Sequence, residues 1–145
     1  MRIREATKED LTAIFEIETK SFSVAWSKDS IEKELNSPIT LYLVAEKEGE
    51  IVGYIGSWKI LQEVEITNLA VAPSFRGQGI GKELLKSLLE RVKKEGMQEV
   101  LLEVRKSNRV AKTLYESLGF TFRGIRKGYY QKPTEDALIL GKKLG

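Results

Sequence analysis

Apolar and polar positions along this chain change period several times, and each change marks a separate element. Residues 2–5 form a brief extended run, and Thr7 after it carries a hydroxyl suited to cap a helix over residues 8–21. Leu11, Ile14, Phe15 and Ile17 recur at helical spacing and give that helix its apolar side. A short second helix is predicted after Ser27, with Ile31 and Leu35 four apart, ending before Pro38. The segment between the two, SFSVAWS, reads as a loop bearing aromatic residues.

Residues 40–46 and 51–60 are β-rich runs separated by KEGE, which predicts a hairpin. A third run, EVEITNLAVA over residues 63–72, is closed by Pro73. Three strands in succession without a helix imply an antiparallel meander. From Ile80 the period becomes helical through Leu84, Leu85, Leu88, Leu89 and Val92, and Gly96 supplies the stop. Residues 99–105 form the next strand. Asn108 can cap a helix carrying Ala111, Leu114, Tyr115 and Leu118, which Gly119 ends. Residues 120–125 and 137–142 read as two more strands joined by a loop bearing Gly and Tyr. The pattern predicts one α/β (α+β) domain over residues 1–145, with about four helices around a mixed, mostly antiparallel sheet of about seven strands.

Composition narrows the chemistry. With 145 residues, 41% hydrophobic and 31% charged, the chain suits a single folded core. Its apolar runs are shorter than the ~18 to 20 residues a membrane span needs, and its start has no apolar signal core, so a cytoplasmic protein without membrane contact is expected. Cysteine and histidine are both absent. That removes disulfides, thiolate zinc sites, cysteine nucleophiles, histidine bases and every Ser-His-Asp triad. Proton carriers must be Glu, Asp, Tyr, Lys, a terminus or water, and no thioester can form on the protein. No metal is called for.

Charge is distributed unevenly. Residues 1–72 carry 8 Lys/Arg against 13 Asp/Glu, and residues 73–145 carry 16 against 8. A basic half suits a phosphate-bearing ligand or nucleic acid and an acidic half a cationic one, although solvated helix faces would give the same count.

Between residues 72 and 83 lies PSFRGQGIGK, with Gly77, Gly79 and Gly81 at alternate positions and Arg76 and Lys82 flanking them. Glycines let consecutive backbone N–H groups converge on an anion, and the following helix N-terminus adds roughly half a positive charge. A merely flexible strand-to-helix connection is the plainer alternative. The loop fails the Walker pattern, because Glu83 follows Gly81-Lys82, and it fails G-x-G-x-x-G, because Lys82 stands in the third glycine's place.

RGQGIG does fit Arg/Gln-x-x-Gly-x-Gly/Ala, and in this it resembles the GNAT superfamily of N-acetyltransferases, whose loop holds the pyrophosphate of acetyl-CoA. NLAVAP, LEVRKSN at residues 102–108, LYESLGF at 114–120 and GYYQKPTEDA at 128–137 are similar to the RimI-type branch of that family. Bacterial members of that branch acetylate the N-terminal alanine of small-subunit ribosomal protein 18. The resemblance spans nearly the whole chain and departs at Ala25, where bacterial relatives commonly have Pro before the Trp-Ser pair.

The resemblance implies an enzyme that passes acetyl from acetyl-CoA directly to a protein N-terminal amine, with a ribosomal protein as partner. It places Arg76, Gly77, Gln78, Gly79, Ile80, Gly81, Lys82 and Asn108 at acetyl-CoA, with Leu69, Ala70 and Val71 offering strand backbone to the cofactor's amides. Asn108 is equally explained as a helix cap. Glu103 takes the part of general base, although alternation with Leu102 and Val104 also allows a solvent-facing carboxylate. Tyr115 takes the part of general acid toward the departing thiolate, although a core tyrosine would look the same in sequence. Trp26, Tyr129 and Tyr130 are expected at the acceptor, the tyrosines being otherwise amphipathic surface anchors.

Two other functions fit the chain. One is an acetyltransferase of the same fold acting on other N-termini, lysines or small molecules. The other is a non-catalytic basic module binding ribosome or nucleic acid, which would lose affinity steeply with salt. The sequence lacks aromatic-interleaved basic strands that would favour the module.

Overall fold

Each change of period becomes a change of element in the computed structural model, which describes residues 1–145. The order is β1 (Arg2–Glu5), α1 (Leu11–Ser21), α2 (Lys28–Leu35), β2 (Thr40–Lys47), β3 (Glu50–Ile60), β4 (Glu63–Val71), α3 (Ile80–Lys94), β5 (Glu99–Arg105), α4 (Arg109–Ser117), β6 (Thr121–Tyr130) and β7 (Glu135–Lys143). The strands form one seven-stranded sheet in the order β1-β2-β3-β4-β5-β7-β6. Only β4 and β5 pair in parallel.

Local chemistry accounts for the ends. Residues 8–10 form a 3-10 turn ahead of α1, closed by a capping box in which Asp10 accepts from the Thr7 N–H at 2.8 Å. Arg4 grips the same carboxylate with two nitrogens at 2.8 and 2.9 Å. Ser27 caps α2 by accepting from the Ser30 N–H at 3.1 Å. The β2–β3 turn is only Glu48 and Gly49, both at positive φ (53° and 79°), the twist that a two-residue hairpin requires. Gly96 follows α3 at φ 84°.

The sheet separates two apolar layers. On one face α3 buries Leu84, Leu85, Leu88 and Val92 against Leu41, Leu43, Val64, Val100, Leu102 and Leu140. Each of those helix side chains contributes roughly 1.5–3 kcal/mol by leaving water. On the other face α1 and α2 bury Ile14, Ile17 and Ile31 against Tyr42, Val44, Tyr54 and Ala70. No helix is long and apolar enough to cross a membrane.

Two irregularities position the site. The β3–β4 register steps from Ser57↔Ile66 to Gly56↔Asn68, so Thr67 is an extra residue on β4. This bulge reverses the alternation: Val64 and Ile66 face the α3 layer, whereas Ala70 beyond it faces α1 and α2. The β4–β5 ladder also stops at Ile66↔Leu102, leaving the later part of β4 without a partner on that side.

The structure corrects three boundaries: the helix expected from residue 8 starts at Leu11 after the 3-10 turn, β7 begins two residues before the expected 137, and β6 is longer than expected. Gly128, Tyr129 and Tyr130 lie within β6, which runs five residues past the expected strand, and not in a loop. The reason is tertiary: Arg105 donates to the carbonyls of Gln131 at 2.8 Å and Pro133 at 2.9 Å, which brings the β6–β7 turn back onto β5. Glu135 holds the same arginine at 3.3 Å and accepts from the Ser107 N–H at 2.6 Å.

Candidate active site

The glycine loop is built to receive an anion. Gly77 and Gly79 sit at φ 79° and 80°, the left-handed region that glycine enters without steric cost, and a Cβ on either would meet nothing within 4 Å. The backbone N–H groups of Gly77 through Lys82 have no acceptor in the protein. Those of Ile80, Gly81 and Lys82 begin α3, so the helix dipole adds to them. Gly81 lies 3.8 Å, by its missing Cβ, from Val71 and 3.9 Å from Leu114, which places the loop between the end of β4 and α4.

The flanking side chains divide. Lys82 is exposed and makes no ion pair, so its charge is available to the loop. Arg76 instead folds back, donating to the Val71 carbonyl at 3.0 Å and to Ser21 at 3.2 Å. That occupies the Val71 carbonyl and ties the loop to α1. Gln78 accepts from Lys47 at 3.4 Å. Ile80 buries its side chain in the core and Ala70 packs against α1 and α2, so only their backbone is open to a ligand. Leu69 lies in the unpaired part of β4. Asn108 accepts from the Ala111 N–H at 3.1 Å, which is the helix cap.

Glu103 projects from the side of β5 opposite Leu102 and Val104, which are buried in the α3 layer. Only 13% of its side chain is exposed, and Arg126 Nε stands 3.3 Å from Oε1. Burial raises its affinity for a proton above that of an ordinary carboxylate; the adjacent Glu65 raises it further, and Arg126 opposes both. The result is a stronger base than a surface glutamate.

Tyr115 comes from α4 on the other side and packs edge-on against Phe120 at 5.7 Å. Burial pushes its phenol well above the usual tyrosine value, with Tyr130 adding to the shift. Its hydroxyl is therefore a firm proton holder and a hydrogen-bond donor. Tyr130 is pushed up to about 12, chiefly by burial and then by Glu103. Glu103 thus acts on both Tyr129 and Tyr130 at the end of β6, and Tyr130 in turn acts on Tyr115.

Trp26 is placed differently. Its aromatic neighbour is Trp58, 6.3 Å away and tilted by 40°, while Tyr129 and Tyr130 pair with each other at 5.1 Å. It lines an open groove with Lys33, Glu34 and Ser37 on α2 and its end. The structure therefore does not bring Trp26 together with Tyr129 and Tyr130, as a single acceptor wall would require.

Three acidic and basic residues went unread in the sequence. Glu18 is 1% exposed and accepts from Tyr54 Oη, from Asn68 Nδ2 at 3.0 Å and from the Trp26 N–H at 2.9 Å. It fastens the Trp26 loop to β4 beside the bulge. A carboxylate following Ile14 and Ile17 in the apolar stripe was the available signal. Glu65 and Arg126, both neighbours of Glu103, left no local signal, because their role comes from strand pairing.

Comparison with known proteins identifies the family to which this fold belongs. Residues 11–120 match the model of the acetyltransferase (GNAT) family. A Bacillus subtilis (strain 168) protein provisionally named [ribosomal protein bS18]-alanine N-acetyltransferase is 42% identical over 139 residues, covering 95% of this chain and 92% of its own. The crystal structure of the ribosomal-protein-S18-alanine N-acetyltransferase from Escherichia coli superposes with a TM-score of 0.94 at 32% identity, over 99% of this chain and 94% of that one. A phosphinothricin acetyltransferase from Sinorhizobium meliloti, solved in complex with acetyl-CoA, superposes with a TM-score of 0.86 at 25% identity, over 99% and 88%.

Proposed function

This chain belongs to the acetyltransferase (GNAT) family, and from that premise we propose that it acetylates protein N-terminal amines, the N-terminal alanine of ribosomal protein bS18 being its acceptor. The observation that carries the reading is a largely buried glutamate, Glu103, beside the gap between β4 and β5, with a loop of unpaired N–H groups leading into α3 beyond the end of β4.

Bound acetyl-CoA supplies the acetyl group as a thioester. The N–H groups of Gly77 through Lys82 fit its pyrophosphate, Lys82 adds charge, and the unpaired edge of β4 at Leu69 fits its amides. Glu103 accepts the proton that the acceptor amine must lose before it attacks. An α-amino group has a pKa of ~7.7 to 8.0, so removing that proton at pH 7 costs only ~1 kcal/mol. A lysine amine at ~10.4 would cost ~4.6 kcal/mol, which sets N-termini ahead of lysines. Tyr115 donates its hydroxyl hydrogen toward the departing sulfur. Because burial has raised that phenol, stabilising the thiolate by a hydrogen bond outweighs full proton transfer to it.

The reading is tested by mass spectrometry of peptides that differ at residue one, incubated with acetyl-CoA. Free N-termini beginning with alanine acquire one acetyl group, and an N-terminally blocked peptide with an internal lysine stays unmodified. Equal rates on the two would move the protein to the lysine acetyltransferases, and turnover of polyamines alone to small-molecule acceptors.

Tyr115→Phe separates chemistry from packing, since it keeps the ring against Phe120 and removes only the hydroxyl. kcat falls by roughly tenfold or more, while acetyl-CoA affinity and thermal stability hold. Lost stability with kcat unchanged would return Tyr115 to a purely structural place.

A further inference from the structure

Glu103 has an acidic neighbour that the reaction as described leaves unused. Glu65 on β4 lies opposite Leu101 of β5, diagonal to Glu103 and on the same sheet face. The register thus sets the two carboxylates side by side on neighbouring strands, and Glu65 adds to the raised proton affinity of Glu103. Glu65 is half-buried and makes no salt bridge and no hydrogen bond to a donor in the protein. The remaining charged and titratable groups around Glu103 come from β6: Arg126 at 3.3 Å, Tyr129 and Tyr130. Arg105 and Glu135 stand behind Tyr130 and satisfy each other.

Two adjacent carboxylates facing one partly exposed arginine leave an unbalanced negative charge on this face of the sheet. Arg126 is 56% exposed and lies 5.6 Å over the Tyr129 ring, so its hold on Glu103 is a solvent-screened one. A compact cation entering the face would meet both carboxylates at once. The acceptor is such a cation: with a pKa near 8, about nine tenths of its amine is protonated at pH 7.

We infer that Glu65 and Glu103 form an ammonium-binding pair, so that the acceptor amine docks in its protonated form, taking the place of Arg126 beside Glu103. One N–H proton then passes to the Glu103 carboxylate, leaving a neutral amine with its lone pair free and a neutral carboxyl group. Glu65 keeps the acceptor nitrogen in place during that transfer and is a positioning residue. This rests on the N-terminal acetyltransferase reading above and adds to it the state in which the acceptor binds.

The test measures binding without turnover, by calorimetry on the protein saturated with CoA. One probe is an alanine-initiated peptide with its N-terminus dimethylated, which stays cationic at pH 7. The other is the same peptide with the amine replaced by hydrogen. Wild type binds the cationic probe about tenfold or more tightly, and Glu65→Gln reduces that preference to about twofold. Glu65→Thr, well suited to a strand, is the second variant should the first fail to fold. In both variants the acid limb of kcat/KM moves to lower pH, because the neighbour opposing ionisation of Glu103 is gone. Equal affinity of wild type for the two probes overturns the pair, as does a preference that survives loss of Glu65. Absence of acetylation of any free-amine peptide by wild type would instead overturn the functional reading itself.

Discussion

Glu103→Gln lowers kcat/KM for an alanine-initiated peptide at pH 7 by roughly 10² or more. The substitution keeps the side chain's shape beside Glu65 and Arg126 and most of its hydrogen bonding, but an amide cannot accept the proton. The chain holds no histidine or cysteine to stand in for it. The defect shrinks between about pH 7 and 9, because the acceptor passes its own pKa of ~8 and solvent supplies more of the neutral amine. A pH series of kcat/KM for wild type and variant checks both statements. A defect constant across that range would make Glu103 an orienting group. Wild-type activity in the variant would hand the proton to water or to another carboxylate.

Gly79→Glu abolishes acetyl-CoA binding in calorimetry while the protein stays folded. Gly79 precedes α3 at φ 80° with open space where a Cβ would go, so a side chain there projects into the loop's surroundings without striking the core. Glutamate adds a negative charge where the unpaired N–H groups await one, and like charges meet. Its left-handed backbone also costs about 1–2 kcal/mol for any non-glycine residue. Gly79→Ala carries that strain without the charge and separates the two effects: it loses stability but keeps measurable affinity. Unchanged acetyl-CoA affinity in Gly79→Glu would remove the loop from cofactor binding and with it the basis of the functional reading.

Much of this arrangement is legible along the chain because its causes are local. The α3 stripe from Ile80 to Val92, the Ser27 and Asn108 caps and the positive-φ glycines 49, 77, 79, 96 and 119 each follow from residues a few positions apart. So does the glycine loop, whose unpaired N–H groups need only the glycines and the helix start. Glu103 could be named from its motif, but its strength as a base could not, since burial, Glu65 and Arg126 all come from distant parts of the sequence.

Periodicity and turn chemistry act over fewer than ten residues, so the sequence by itself determined the element order, the meander, the helix ends and the loop before α3. Strand pairing and side-chain packing join residues tens of positions apart, and those only the tertiary structure decided. The Thr67 bulge, which turns Asn68 and Ala70 toward α1, depends on how β3 registers against β4. The extension of β6 through Tyr130 depends on Arg105 reaching the turn from β5. The anchoring of Trp26 through Glu18 to Asn68 spans fifty residues of sequence and exists only once α1 has packed across the sheet. The placement of Glu65 beside Glu103 has the same origin: a parallel ladder brings two strands side by side that α3 separates in the chain, and no local pattern encodes which carboxylates that ladder will make neighbours.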